Sequence, residues 1–218
     1  MNGRSSGGTA PHPAPRPAPH VLHLRCRALP STLALLAGAA AGAAAALRWL
    51  MAQPGGEASA RAVVTVGFPV LAAAAIGVSL HSLCPDADRS ASRRWWTLRA
   101  GHLIAMTVLA ATLLATAVPG SPVDWGTGAM VRNVAGAVGV TALAATFIDA
   151  RFSWLPMFVY GGAALALGPR RPGGTEALWH WLMQPGPQTG AWTTALGALA
   201  AGTAVYAVAG PRRTSAGR

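Results

Sequence analysis

Residues 33–47 read LALLAGAAAGAAAAL, a helix-length run without one charged or hydrogen-bonding side chain. A helix at the surface of a soluble domain keeps a polar face, and this stretch has none on any side. The pattern recurs at Ala62–Leu83, Leu103–Val118, Met130–Ile148, Trp154–Gly168 and Ala191–Ala209. Crossing the hydrocarbon core takes about 20 apolar residues in a helix, because lipid offers backbone N–H and C=O groups no partner. The sequence therefore predicts an all-α, polytopic transmembrane helical bundle of about six spans, near 31–50, 62–83, 100–118, 129–148, 153–168 and 191–209.

Composition agrees. Of 218 residues, 52% are hydrophobic and only 11% are charged. Lysine is absent, so all 17 cations are arginines, and the formal charge is +11. In a soluble protein that charge would point to nucleic acid. Here the arginines sit at block ends, where the positive-inside rule accounts for them, and no nucleic-acid partner is expected. With the amino terminus inside and six crossings, Arg4, Arg16, Arg25, Arg27, Arg89, Arg93, Arg94, Arg99, Arg151, Arg212, Arg213 and Arg218 fall on the cytoplasmic side. Only Arg48, Arg61, Arg132, Arg170 and Arg171 fall outside. Both termini are thus expected in the cytoplasm and the chain in the cell membrane. Cys26 and Cys84 would then face a reducing compartment, as free thiols.

The fifth block is short. Trp154–Gly168 covers about 22 Å at 1.5 Å per residue, so it must recruit Phe152 and Ser153, thin the bilayer, or re-enter without crossing. Pro69 in the second block leaves a carbonyl unpaired and predicts a kink there. Small-residue pairs (Gly38 with Gly42, Gly136 with Gly139, Gly197 with Gly202) allow close helix approach, although such spacing arises easily in Ala-rich sequence.

The flanks divide by composition. Residues 1–20 are Pro, Gly, Ser, Arg and His and are expected to form a disordered tail. Val21–Leu29 (VLHLRCRAL) reads either as an interfacial amphipathic segment or as a basic flank that fixes orientation. Residues 211–218 form a basic tail. Residues 84–99 (CPDADRSASRRWWTLR) are the most polar internal connection, with the arginine-plus-tryptophan composition of a headgroup boundary. Thr175–Gln184 (TEALWHWLMQ) predicts a short helix capped by Thr175 and ended by Pro185. Leu178, Trp179, Trp181, Leu182 and Met183 would press it on the outer leaflet.

Candidate chemistry is sparse. There is no GxxxxGK[ST], HExxH, paired-cysteine set or GxSxG turn, so no enzyme, metal or cofactor is expected. His81, Cys84, Asp86, Asp88 and His102 have ligand chemistry but no metal-site spacing. Arg132 and Asn133 lie about one turn inside the fourth span. They are candidates to line a transport pathway, but Arg132 is near enough to the boundary to snorkel, with Asp124 as a counterion. The snorkelling reading is preferred on depth. No chain of buried carboxylates exists to relay protons.

With spans and loops placed, the chain resembles the membrane permease subunit of type-2 ATP-binding-cassette exporters, especially the small actinobacterial versions. Val21–Leu29 stands before the first span. DRSASRRWWTLRAGHL (Asp88–Leu103) takes the place of the cytoplasmic coupling helix, and the segment around Trp179-His180-Trp181 that of the outer re-entrant element. RNVAGAVGVTALAA (Arg132–Ala145) and WLPMFVY (Trp154–Tyr160) look like the fourth and fifth spans. The resemblance implies a separate ATPase subunit as partner, coupled through Asp88, Arg89, Arg93, Arg94, Trp95 and Arg99. It also implies a second permease copy or paralogue to complete the pathway. The alternative reading is a non-transporting membrane scaffold or assembly protein, which the scarcity of polar groups in the spans favours.

Overall fold

A computed structural model describes residues 29–53, 57–80, 95–118, 125–168 and 172–212. Among these residues it is an all-α bundle of seven helices: α1 Leu29–Met51, α2 Glu57–Ser79, α3 Trp95–Ala117, α4 Thr127–Phe147, α5 Leu155–Leu167, α6 Glu176–Trp179 and α7 Thr189–Ala209. Single 3-10 turns, Ala150–Phe152 and Trp181–Met183, precede α5 and α7. Five stretches, Leu29–Met51, Arg61–Ser79, Trp96–Ala117, Thr127–Phe147 and Thr189–Ala209, are long and apolar enough to cross a membrane. The chain is a polytopic membrane protein. The proposed tail 1–20, amphipathic segment 21–29 up to Ala28, both cysteines, Asp124 and most of the 84–99 connection lie outside the described residues.

Neighbouring contacts fix how the helices run. Ala34 of α1 faces Val78 of α2 across one cavity and Gly42 meets Phe68, so α1 and α2 are antiparallel. Arg48 and Leu47 share a second cavity with Thr116 and Ala117, which brings the ends of α1 and α3 together. At one end of α4, Gly128 approaches Gly186; in its middle, Gly139 abuts Ala198; at its far end, Ala145 O accepts from Arg212 N at 2.8 Å. Thus α4 and α7 run side by side in the same direction. A chain that enters twice from one end must return in between, and α5 and the residues after it make that return. The start of α1 and the end of α7 share one end of the bundle.

The return path begins with a short helix. Pro156, tolerated near the N-terminus of α5, starts a helix of only 13 residues, about 20 Å, which stops at Gly168 with φ +71. Residues 172–188 follow as one turn of helix, a 3-10 turn and extended backbone: Gly174 and Ala177 lie at the first turn of α7, and the segment then turns inward to Leu182 beside Asn133 before it reaches Gly186 beside Gly128. The expected helix over Thr175–Gln184 shrinks to Glu176–Trp179, and Thr175 makes no side-chain cap. Leu178 and Trp179 are exposed as expected, but Trp181, Leu182, Met183 and Gln184 are buried inside the protein rather than laid on a leaflet. The reason is the backbone: a broken helix leaves polar groups that lipid cannot satisfy, whereas neighbouring helices can.

Burial follows helical stripes. In α3 the buried residues are Leu103, Thr107, Ala110 and Leu114, spaced three or four apart, while Leu98, Ile104 and Val108 on other faces are exposed. In α1 only Thr32, Leu36, Ala43 and Leu47 are buried. By contrast every residue from Arg132 to Gly139 in α4 is buried, which makes α4 the centre of the bundle. Its contact with α7 is close because it is built on glycine. A Cβ on Gly202 would lie 2.9 Å from the Gly139 carbonyl carbon and 3.1 Å from its Cα. Gly136 leaves space that the Trp181 ring fills. Gly38 and Gly197 meet nothing within 4 Å, so not every small-residue pair in the sequence marks a contact.

Candidate functional site

The one concentrated polar constellation among the described residues lies where α4 meets the return segment. Arg132 is 0% exposed. It therefore does not snorkel: its guanidinium is turned into the protein. Its Nε and Nη2 donate to Asn133 Oδ1 at 3.1 and 3.0 Å, Nη2 also to Gln184 O at 2.7 Å, and Nη1 to Pro185 O at 2.8 Å. All of these acceptors are neutral. A guanidinium holds five N–H donors in a rigid fork, and here four contacts fasten that fork to three oxygens.

Asn133 links this clamp to the proline in α2. Its Nδ2 donates to Thr65 O at 2.7 Å and to Leu182 O at 2.9 Å. Thr65 is the residue four before Pro69, whose missing N–H frees that carbonyl. The amide of Asn133 thus takes the place of the absent backbone donor, and binds the broken point of α2 to the return segment. The same logic holds along the rest of that segment. The Tyr160 hydroxyl donates to Trp179 O, and its ring stacks on Trp181 with centroids 6.0 Å apart. Trp192 Nε1 donates to Gly186 O at 2.8 Å, and Gly173 N donates to Gln184 Oε1 at 3.0 Å. Side chains from α4, α5 and α7 satisfy an irregular backbone that no helix or sheet pairs.

Donors dominate this constellation. It offers no thiol, no carboxylate and no activated hydroxyl, so its chemistry is to hold carbonyl oxygens in place. A double-mutant cycle tests the Asn133–Pro69 link. Asn133→Leu is expected to destabilise the protein by about 2–4 kcal/mol, because Thr65 O and Leu182 O lose their donor. In a Pro69→Ala background the new N–H can reach Thr65 O, so the cost of Asn133→Leu should fall by about 1 kcal/mol or more. Equal costs in both backgrounds, measured by chemical unfolding in detergent, would show that the two residues are independent.

The residues expected to couple to a partner fall mostly elsewhere. Asp88, Arg89, Arg93 and Arg94 lie outside the described residues, and Trp95 opens α3. Arg99 is half-buried against the end of α7: its Nη1 is 3.5 Å from Ala207 O, and its guanidinium lies over Gly210. Arg212 closes α4 in the same way, through Ala145 O and Phe147 O. Arginines at helix C-termini meet the unpaired carbonyls and the negative end of the dipole. No group of three or more metal-ligating side chains occurs among the described residues. Sequence reasoning singled out Arg132 and Asn133 but missed Tyr160 and Trp192, whose only signal was polarity within apolar blocks, and Gln184, which closes the short segment before Pro185. No protein-family model, curated protein or solved structure matches this chain.

Proposed function

We propose that this chain is a permease-like membrane subunit of an ABC-type exporter, with no ATPase or catalytic site of its own, coupled to a separate nucleotide-binding subunit through residues 84–99. The observation that carries the reading is the divided fifth crossing: a short α5 followed by a protein-embedded return segment, at the end of the bundle opposite both described chain ends. The resemblance drawn from sequence calls for an outer re-entrant element at that place. α2 ends and α3 begins at the end where Arg99 and Arg212 gather, which suits a cytoplasmic face and a soluble partner. A second permease copy or paralogue would complete the pathway, since α4 is packed on all sides within one chain.

One observation favours the alternative, a non-transporting scaffold. The buried polar groups of the clamp are spent on protein backbone, and the buried core is otherwise mainly Ala, Val, Leu and Met. The two readings separate experimentally. Purified in mild detergent from its own cells, the full chain is expected to bring down a stoichiometric ATPase. Arg93→Glu with Arg94→Glu should abolish that association while leaving the chain folded in the membrane. Retained association in the double variant defeats coupling through this connection. Absence of any ATPase, with no solute movement in proteoliposomes, leaves the scaffold.

A further inference from the structure

We propose that the face formed by α1, α2 and α5 holds one acyl chain of a phospholipid from the leaflet on the side where α1 starts. Two cavities lie along this face. One, of about 490 Å³, runs between α1 and α2 from Ala34 and Val78 to Phe68, with Trp154 at its mouth. The other, of about 300 Å³, runs between α2 and α5 from Leu71 and Phe158 to Val66 and Leu165. Leu71, 51% exposed, lines both and joins them into one trough. Glycine makes the trough deep. A Cβ on Gly38 of α1, Gly67 of α2 or Gly162 of α5 would meet nothing within 4 Å.

Chemistry and length identify the occupant. The lining is hydrocarbon except for the indole of Trp154, whose Nε1 already donates to Arg151 O at 2.8 Å. The trough therefore offers neither charge nor hydrogen bond, only dispersion contact from three helices. Its length separates a lipid chain from a helix. Each long wall, Val78 to Gly67 along α2 and Trp154 to Leu165 along α5, rises about 16 Å at 1.5 Å per residue. The hydrocarbon core is about 30 Å thick, so this is the depth of one leaflet. A helix from a partner would need the full thickness. Beyond Phe68, however, α1 closes on α2: a Cβ on Gly42 would lie 3.1 Å from the Phe68 ring. A chain that enters beside Trp154, at the headgroup boundary where tryptophan concentrates, and ends near the bilayer centre fills this space.

The test counts the phospholipid that the full chain retains after extraction from its own membrane into mild detergent, by native mass spectrometry. The wild type should keep one phospholipid per chain. Gly38→Leu with Gly162→Leu fills the trough from two walls and should lower that retention by about tenfold, the change expected from losing roughly ten close carbon contacts. Gly162→Leu alone should show part of the loss. Gly197→Leu, equally free of neighbours but on α7, should retain lipid as the wild type does, and circular dichroism should show all of these chains helical. Equal retention by the wild type and both trough variants overturns the proposal, as does a wild type that keeps no lipid. In a second arm, a diazirine side chain in place of Leu71 is activated in the native membrane and should form an adduct of phospholipid mass. A crosslink to a second copy, to another protein or to another segment of the same chain gives the trough a protein occupant and also overturns the proposal.

Discussion

Arg132→Met is expected to lower the thermal midpoint of the detergent-solubilised protein by roughly 5–10 °C and to open the return segment to protease. The substitution keeps most of the aliphatic volume but leaves Asn133 Oδ1 and Gln184 O buried without their donor, and Pro185 O with only the long bond from Gln188 N at 3.5 Å. An unsatisfied buried acceptor costs about 1–3 kcal/mol. Removing the buried charge returns part of that, since a guanidinium held among neutral acceptors carries a desolvation cost of its own. A net loss of about 3 kcal/mol corresponds to the stated shift for a chain of this size. Arg132→Lys should fall between, because an ammonium cannot reproduce a planar fork across three oxygens. New cleavage should map to residues 172–188. An unchanged midpoint with no new cleavage would mean that the clamp does not hold the segment.

The second large effect concerns the α4–α7 seam. Gly202→Leu should cost about 3 kcal/mol or more and largely prevent accumulation of folded protein. The obstructing atoms at this site belong to the Gly139 backbone, so no rotamer change relieves the clash. Gly139→Leu should behave alike, against the backbone of Ala198 and Leu199. Gly197→Ala is the matched control on the same helix. With nothing within 4 Å of the added methyl, it should be neutral or slightly stabilising, since alanine favours helix over glycine by about 1 kcal/mol. Fluorescence-detected gel filtration of tagged variants reads all three. A well-folded Gly202→Leu protein would refute the seam.

Much of the architecture was legible in the residues. The long apolar blocks announced helices that cross, Pro69 announced a broken carbonyl, and the brevity of Trp154–Gly168 announced an irregular crossing. The candidate site was legible only by type. An arginine and an asparagine inside a span stood out as costly, yet depth along the helix favoured snorkelling, and that was wrong. Snorkelling is a choice between water and burial, and it is lost when buried carbonyls supply better partners. Those carbonyls belong to residues 184 and 185, and the ones that hold Asn133 to residues 65 and 182, all remote in sequence from positions 132 and 133.

The facing of the helices was not legible at all. In water, the buried stripe of a helix is the apolar one and can be read from periodicity. In lipid, both faces of α1 and α3 are apolar, so Leu36 is buried and Leu35 exposed with nothing in their chemistry to tell them apart. For the same reason Gly202 seals a seam while Gly197 faces open space. Solvent preference, which acts residue by residue, is written in the composition of the blocks; that is why the sequence alone determined a multi-crossing helical protein. Close approach of backbones and exchange of hydrogen bonds act between segments distant in the chain. Only the tertiary structure decided which glycines touch, and which carbonyls the fork of Arg132 holds.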